Sequence, residues 1–144
     1  MSFQISWFYW ALLSALFAAL TAIFAKIGLQ GVDSDFATLI RTVIILLVLI
    51  GIVYARQKWS NPFLLSPKTL GFLTLSGLAT GASWLCYFRA LKIGDASKVA
   101  PVDKLSVILV ALMAVVFLGE RPTPREWSGI LLVGAGVILL ALKR

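Results

Sequence analysis

The sequence predicts an all-α integral membrane protein whose chain crosses the bilayer five times. Of its 144 residues, 60% are hydrophobic and 13% are charged, whereas a soluble domain is about 45–50% apolar and about 25% charged. A soluble globule of this length could not bury that much apolar surface. A helix needs about 20 mostly apolar residues to cross a hydrocarbon core of about 30 Å. The chain therefore has room for one membrane domain of five helices joined by short loops.

Short segments that carry charge, proline or glycine separate the predicted spans. The spans cover about residues 5–26, 36–55, 69–89, 96–118 and 127–142. Tryptophan and tyrosine, which favour the lipid–water interface, open the first span, and Lys26 ends it. Acidic residues that can cap a helix precede the second span. The fifth span is uncharged over only about 24 Å of helix, so we expect its charged flanks to lie at the headgroups.

Charge enters the first third of the fourth predicted span. Asp103 lies about seven residues into this helix, roughly 10 Å of rise, where a charge that faces bare lipid is costly. Pro101 supplies no N–H to the helix ladder, so we expect a kink and a polar entrance there. Asp103 has no basic residue four positions away on its own helix. Its partner is then its neighbour Lys104, or Arg41 or Arg89 from another helix.

Because successive helices alternate in direction, the charged ends of four spans lie on one side of the membrane. The candidate substrate-binding or coupling residues at these ends are Lys26, Arg41, Arg89, Asp103 and Lys104, with Trp84 and Tyr87 near the end of the third span. We interpret them as a water-filled vestibule whose positive charge attracts anionic or zwitterionic groups, with Asp103 placed to couple proton movement. The alternative is a set of buried ion pairs and of side chains that reach the headgroups, with the aromatic residues used for packing.

Composition argues against several other functions. The chain has no histidine and one cysteine, Cys86, so we expect no metal site, no cofactor and no hydrolytic triad. The formal charge is +7, but the basic residues are scattered singly, which does not favour nucleic-acid binding. We interpret them as loop anchors and contacts to the lipid bilayer.

The loop charges are nearly balanced across the membrane. Five Lys and Arg residues fall on the side of the N-terminus and six on the other, the latter including Lys143 and Arg144. A cytoplasmic excess fixes orientation, so two outcomes stay open: a single orientation, or insertion both ways to give antiparallel dimers. Gly129 and Gly136 share one face of the fifth span and permit close packing with a second copy. Packing within one protomer is the alternative for these glycines.

Three stretches of sequence resemble a family of membrane transporters. They are FRALKIGDASKVAP at 88–101, FLGER at 117–121 and GILLVGAGVILLAL at 129–142. With the positions of Lys26 and Arg41, they resemble the EamA-domain branch of the drug/metabolite transporter superfamily over nearly the whole chain.

The resemblance implies a multi-pass protein of a prokaryotic plasma or inner membrane that transports small metabolites, often exporting amino acids or related compounds. Most members have two inverted five-helix repeats, and this chain resembles small members with one. A homodimer would complete ten helices, and we expect its copies to be antiparallel, with a parallel dimer as the alternative.

These observations favour a secondary transporter or exporter of a small organic metabolite that works by alternating access, and they argue against an enzyme. Two alternatives stay open. One is a non-transporting membrane subunit, in which the charges are anchors and the glycines are partner contacts. The other is a flippase for a lipid-linked substrate, which would use the same vestibule for a headgroup.

Overall fold

The computed structural model describes residues 7–142, which form helices joined by turns and contain no strand. In chain order the helices are α1 (Trp7–Gly28), α2 (Ser34–Ala55), α3 (Pro67–Ile93), α4 (Ala96–Asp103), α5 (Ser106–Met113) and α6 (Pro124–Ala141). A 3-10 turn (Pro62–Leu64) precedes α3, and a π-helical turn (Ala114–Leu118) continues α5. Five helical segments are long and apolar enough to span a membrane, with Ala96–Leu118 acting as one segment. The predicted fold class is confirmed. The predicted start of the first span at Ile5, and Lys143 and Arg144, lie outside the described residues.

The described chain divides into two compact units, and the boundary between them falls within α1. Residues 23–93 form the first unit, which we call the α2–α3 unit. Residues 7–22 and 94–142 form the second, which we call the α4–α6 unit.

Within the α2–α3 unit, the start of α2 meets the end of α3. Asp33 caps α2, since its Oδ1 accepts hydrogen bonds from the backbone N–H groups of Asp35 at 2.9 Å and Phe36 at 3.2 Å. Phe88 and Leu91 of α3 are 1% and 0% exposed. The burial of Leu91 explains why α3 continues to Ile93 and passes the predicted end of its span at residue 89. The core of this unit therefore lies at the end that carries the charged residues.

In the α4–α6 unit, the fourth span is interrupted shortly after Pro101. The backbone N–H of Lys104 bonds to the carbonyl of Pro101 at 2.9 Å, and that of Leu105 bonds to the carbonyl of Val102 at 3.0 Å. These tighter i to i+3 bonds separate α4 from α5. The bond that Pro101 itself cannot make, to the carbonyl of Ser97, lies one turn before this interruption.

The end of the fourth span and the start of α6 are fixed by local backbone chemistry. Gly119 has φ +69°, the left-handed conformation that glycine adopts without strain and that ends many helices. Thr123 and Glu126 then form a reciprocal capping box, with Pro124 in the first turn of α6. The connection 119–123 is therefore short and defined at both ends.

Candidate functional site

Arg41 is the charged side chain that lies deepest along α2. It follows Ser34, the first residue of the helix, by seven positions, about 10 Å of rise. Its guanidinium carbon lies 4.8 Å from the centroid of the Trp84 ring and 4.5 Å from that of Phe88. Trp84 and Phe88 are four residues apart on α3, so both rings are on the same helix face. Two cation–π contacts therefore hold this guanidinium against α3.

Arg41 is not neutralised by any carboxylate of its own unit. The acidic residues between positions 23 and 93 are Asp33 and Asp35. Asp33 caps α2, and Asp35 binds Arg89. The Nη1 atom of Arg41 is buried and has no hydrogen-bond partner among the described residues. A buried N–H donor without an acceptor costs about 1–3 kcal/mol, and more when it carries charge.

A second polar cluster ties the helix ends together in the same unit. Arg89 donates from Nε to Asp35 Oδ1 at 3.1 Å and from Nη2 to Asp35 Oδ2 at 2.6 Å. This is a bidentate pair between the end of α3 and the start of α2. Lys26 Nζ, in the last turn of α1, donates to the carbonyl of Leu91 at 2.6 Å. That carbonyl is one of those at a helix C-terminus that have no partner within the helix.

Asp103 and Lys104 belong to the α4–α6 unit. Lys104 Nζ lies 3.3 Å from Asp103 Oδ2, and the two side chains are 54% and 38% exposed. Of the candidate partners for Asp103, the structure thus places its sequence neighbour Lys104 in contact with it. Arg89, which was another candidate, pairs with Asp35 instead.

The structure brings together some of the predicted site residues. Arg41 and Trp84 are in contact, and Tyr87 packs its ring edge-on to Phe88, with the centroids 6.3 Å apart. Sequence reasoning did not include Phe88 in the site and treated Asp35 only as a capping residue. The spacing of 84 and 88 by one helical turn was the available signal for Phe88. For the pairing of Asp35 with Arg89, the available signal was that the start of α2 and the end of α3 lie on the same side of the membrane.

The two glycines predicted to mediate dimer packing lie on α6. A methyl group added at Gly136 would meet no atom within 4 Å among the described residues, and the same holds at Gly129. Gly129 lies in an open, mainly apolar groove of about 740 Å³ within the α4–α6 unit. Gly134 behaves differently, since an added Cβ there would overlap Ile108 Cδ1. The glycine that α6 uses for close packing within its own unit is therefore Gly134.

The five apolar spans found among the described residues define an integral membrane protein, in which α2 and α3 hold an arginine whose buried Nη1 has no described hydrogen-bond partner. The chain belongs to the EamA-like transporter family, whose model matches residues 5–142. The predicted family and membrane localisation are confirmed.

Similar proteins come from bacteria. A Sinorhizobium protein named "Uncharacterized transporter in cobO 3'region" is 58% identical over 137 residues, which are 95% of this chain and 97% of that protein. A Yersinia pestis protein named "Probable 4-amino-4-deoxy-L-arabinose-phosphoundecaprenol flippase subunit ArnE" is 30% identical over 88 residues, 60% of this chain and 77% of that protein. A Yersinia pseudotuberculosis protein with the same name matches to the same extent. No solved structure matches the chain.

Proposed function

We propose that this protein is a secondary transporter or exporter of a small organic metabolite, amino-acid-like or otherwise anionic or zwitterionic, that works by alternating access. The observation that carries the proposal is Arg41, a cation in a membrane span whose own unit offers it no free carboxylate. An ionisable residue at that depth in a membrane span is by default a candidate for substrate or ion handling. Membership in a transporter family supports the same function.

The remaining predicted residues take subsidiary roles in this proposal. Lys26, Arg89 and Lys104 contribute positive charge at the ends of their spans, and Trp84 and Tyr87 line the site on α3. Asp103 is the proposed proton-coupling acid, and it lies at the end of α4, where the fourth span is interrupted. Discontinuous helices of this kind commonly form binding sites in transporters.

We further propose that the functional unit is a homodimer with antiparallel copies. Residues 7–142 supply five spans, and alternating access uses two halves that rock around a central site. Small residues on α6 suit it for part of the contact, because Gly129 and Gly136 lie two turns apart and permit close helix approach.

The test is uptake into proteoliposomes that contain the purified full-length protein. The solute panel comprises amino acids, organic acids, nucleosides and cationic drugs, each measured with and without a pH gradient. We expect uptake of an anionic or zwitterionic solute, and we expect Asp103→Asn to lower the pH-dependent part of it while folding is retained. Uptake of cationic drugs only, or no uptake of any solute, would contradict the proposal.

A second candidate function is that of a subunit in a flippase for a lipid-linked substrate. The Yersinia relatives, which are named as flippase subunits, favour it. The same proteoliposomes distinguish the two functions when they contain a fluorescent lipid-linked sugar phosphate and are tested for its transfer between leaflets. Transfer that requires a second co-purified subunit, without uptake of any soluble solute, would support the flippase.

A further inference from the structure

We infer that Arg41 binds the solute through a single carboxylate group, so that the transported metabolite is a monocarboxylate that needs no ammonium group for recognition. The inference rests on the proposed transport function and specifies the chemistry of its site. It follows from the charge, the hydrogen bonding and the local surroundings of Arg41.

The first argument is charge balance. The α2–α3 unit uses both of its carboxylates locally, Asp33 in the cap of α2 and Asp35 in the pair with Arg89. Arg41 therefore lacks a counter-ion in its unit, and it is the one charged residue in the span at 36–55. A monoanion neutralises it one to one. A phosphate monoester carries about −1.5 to −2 at neutral pH, so it would replace a surplus positive charge in the span with a negative one.

The second argument is hydrogen bonding. The rings of Trp84 and Phe88 interact with the charge of the guanidinium and offer no oxygen acceptor to its N–H groups. The buried Nη1 lacks a partner among residues 7–142. A planar guanidinium presents parallel N–H donors, which match the two oxygens of a carboxylate. A carboxylate would thus satisfy both the charge and the donors, whereas a carboxamide would satisfy only a donor.

The third argument concerns the amino group of a zwitterionic solute. An ammonium group that leaves water needs acceptors or a counter-ion, and neither Asp33 nor Asp35 is free to act as one in this unit. The α2–α3 unit therefore has a receptor for the carboxyl end of an amino acid and no free carboxylate for the amino end. Removal of the amino group should improve binding or leave it unchanged.

The experiment measures binding to the full-length protein in nanodiscs of phosphatidylcholine at constant ionic strength. The probes are phenylacetate, its neutral amide phenylacetamide, the zwitterion phenylalanine, the cation benzylamine and the dianion phenyl phosphate, with butyrate and butyramide as an aliphatic pair. Affinity is obtained from tryptophan fluorescence and from the shift of the unfolding midpoint with concentration.

The variants are Arg41→Met, which removes charge and donors, and Arg41→Lys, which keeps the charge but loses the paired donors. Arg121→Met is the matched control, because it removes the same group from the loop that precedes α6. We expect carboxylates to bind wild type at least tenfold more tightly than their amides. Arg41→Met should abolish this preference, Arg41→Lys should weaken it on the order of tenfold, and the control should retain it.

Equal affinity for the acids and their amides, tighter binding of phenyl phosphate or phenylalanine than of phenylacetate, or a preference that persists in Arg41→Met would overturn the inference. Counterflow of labelled phenylacetate in proteoliposomes separates this failure from failure of the proposed function. Carboxylate binding that depends on Arg41 but produces no counterflow leaves the inference standing and removes the transport function. Counterflow of another solute that is unaffected by Arg41→Met supports the transport function and removes the inference about Arg41.

Discussion

Replacement of Arg41 by methionine should make the unliganded protein more stable while it loses carboxylate binding. Methionine fills a similar length of side chain without a charge and adapts to irregular apolar space. In the folded protein the Nη1 of Arg41 is buried, and no described residue accepts a hydrogen bond from it. The substitution therefore removes an energetically unfavourable group together with the proposed ligand of the solute.

The expected magnitude is set by three effects. Removal of an arginine charge from a span favours insertion by about 2.5–3.5 kcal/mol at the bilayer centre, and by less at Arg41, which is about 10 Å along a helix that crosses about 30 Å. Loss of two cation–π contacts, at 4.8 and 4.5 Å, costs about 0.5–1 kcal/mol each. The third effect, relief of the unpaired donor, is worth about 1 kcal/mol or more, and it is already contained in the cost of inserting the charge. The balance is a gain of about 1 kcal/mol.

The assay is thermal unfolding followed by circular dichroism in one detergent, with wild type, Arg41→Met and Arg41→Lys measured side by side. A gain of about 1 kcal/mol corresponds to a rise of about 2–4 °C in the midpoint for a chain of this size. Arg41→Lys is the control, because it keeps a charge that still lacks a counter-ion and should show no rise. A midpoint for Arg41→Met below that of Arg41→Lys would refute the reasoning, since it would mean that the charge stabilises the fold.

Three further predictions concern packing and pairing. Gly134→Ala should gain less stability than Gly136→Ala in thermal melts, because both gain helix propensity but only at Gly134 must the terminal methyl of Ile108 move to make room. Gly136→Ala should raise the melting midpoint of the protomer slightly through the gain in helix propensity, and it should reduce the dimer fraction in crosslinking experiments. An unchanged dimer fraction would exclude this face from the contact. Asp35→Arg and Arg89→Asp should each lower the thermal unfolding midpoint, because the bidentate pair joins α2 to α3. The double exchange should restore part of the loss. A loss in the double variant equal to the sum of the two single losses would argue against the pair.

The helices were predictable because each depends on local composition. Long uncharged stretches give the spans, and glycine, proline and acidic residues mark their ends. Pro101 marks an irregular point in the fourth span because it lacks an N–H, although the tighter bonds at Lys104 and Leu105 lie beyond the bond that it removes. The continuation of α3 to Ile93 was not predictable, because it depends on the burial of Leu91 in tertiary structure.

The partners of the charged residues were only partly predictable. Helix periodicity places Trp84 and Phe88 on one face of α3, but it does not say which residue of α2 lies opposite that face. Arg89 illustrates the difficulty, since Asp35 and Asp103 were both acids at the correct side of the membrane. Contact with Asp35 depends on how the start of α2 packs on the end of α3. The sequence also does not tell which of Asp33 and Asp35 caps α2 and which forms an ion pair, because either acid could do either.

The two arginines that the sequence placed in one vestibule are distinguished by their surroundings. Arg89 is 63% exposed, lies near the end of α3 and has a bidentate partner, so its position is explained by the joining of two helices. Arg41 lies deeper and has no counter-ion in its unit, so the structural role of its charge is limited to the cation–π contacts with Trp84 and Phe88. Loss of Arg89 should then act on transport through the packing of α2 and α3, whereas loss of Arg41 should act on solute affinity directly. The two arginines should therefore differ in rescue experiments. A variant of Arg89 should recover transport when Asp35 is changed to match it. A variant of Arg41 should not recover transport through any second change within the α2–α3 unit.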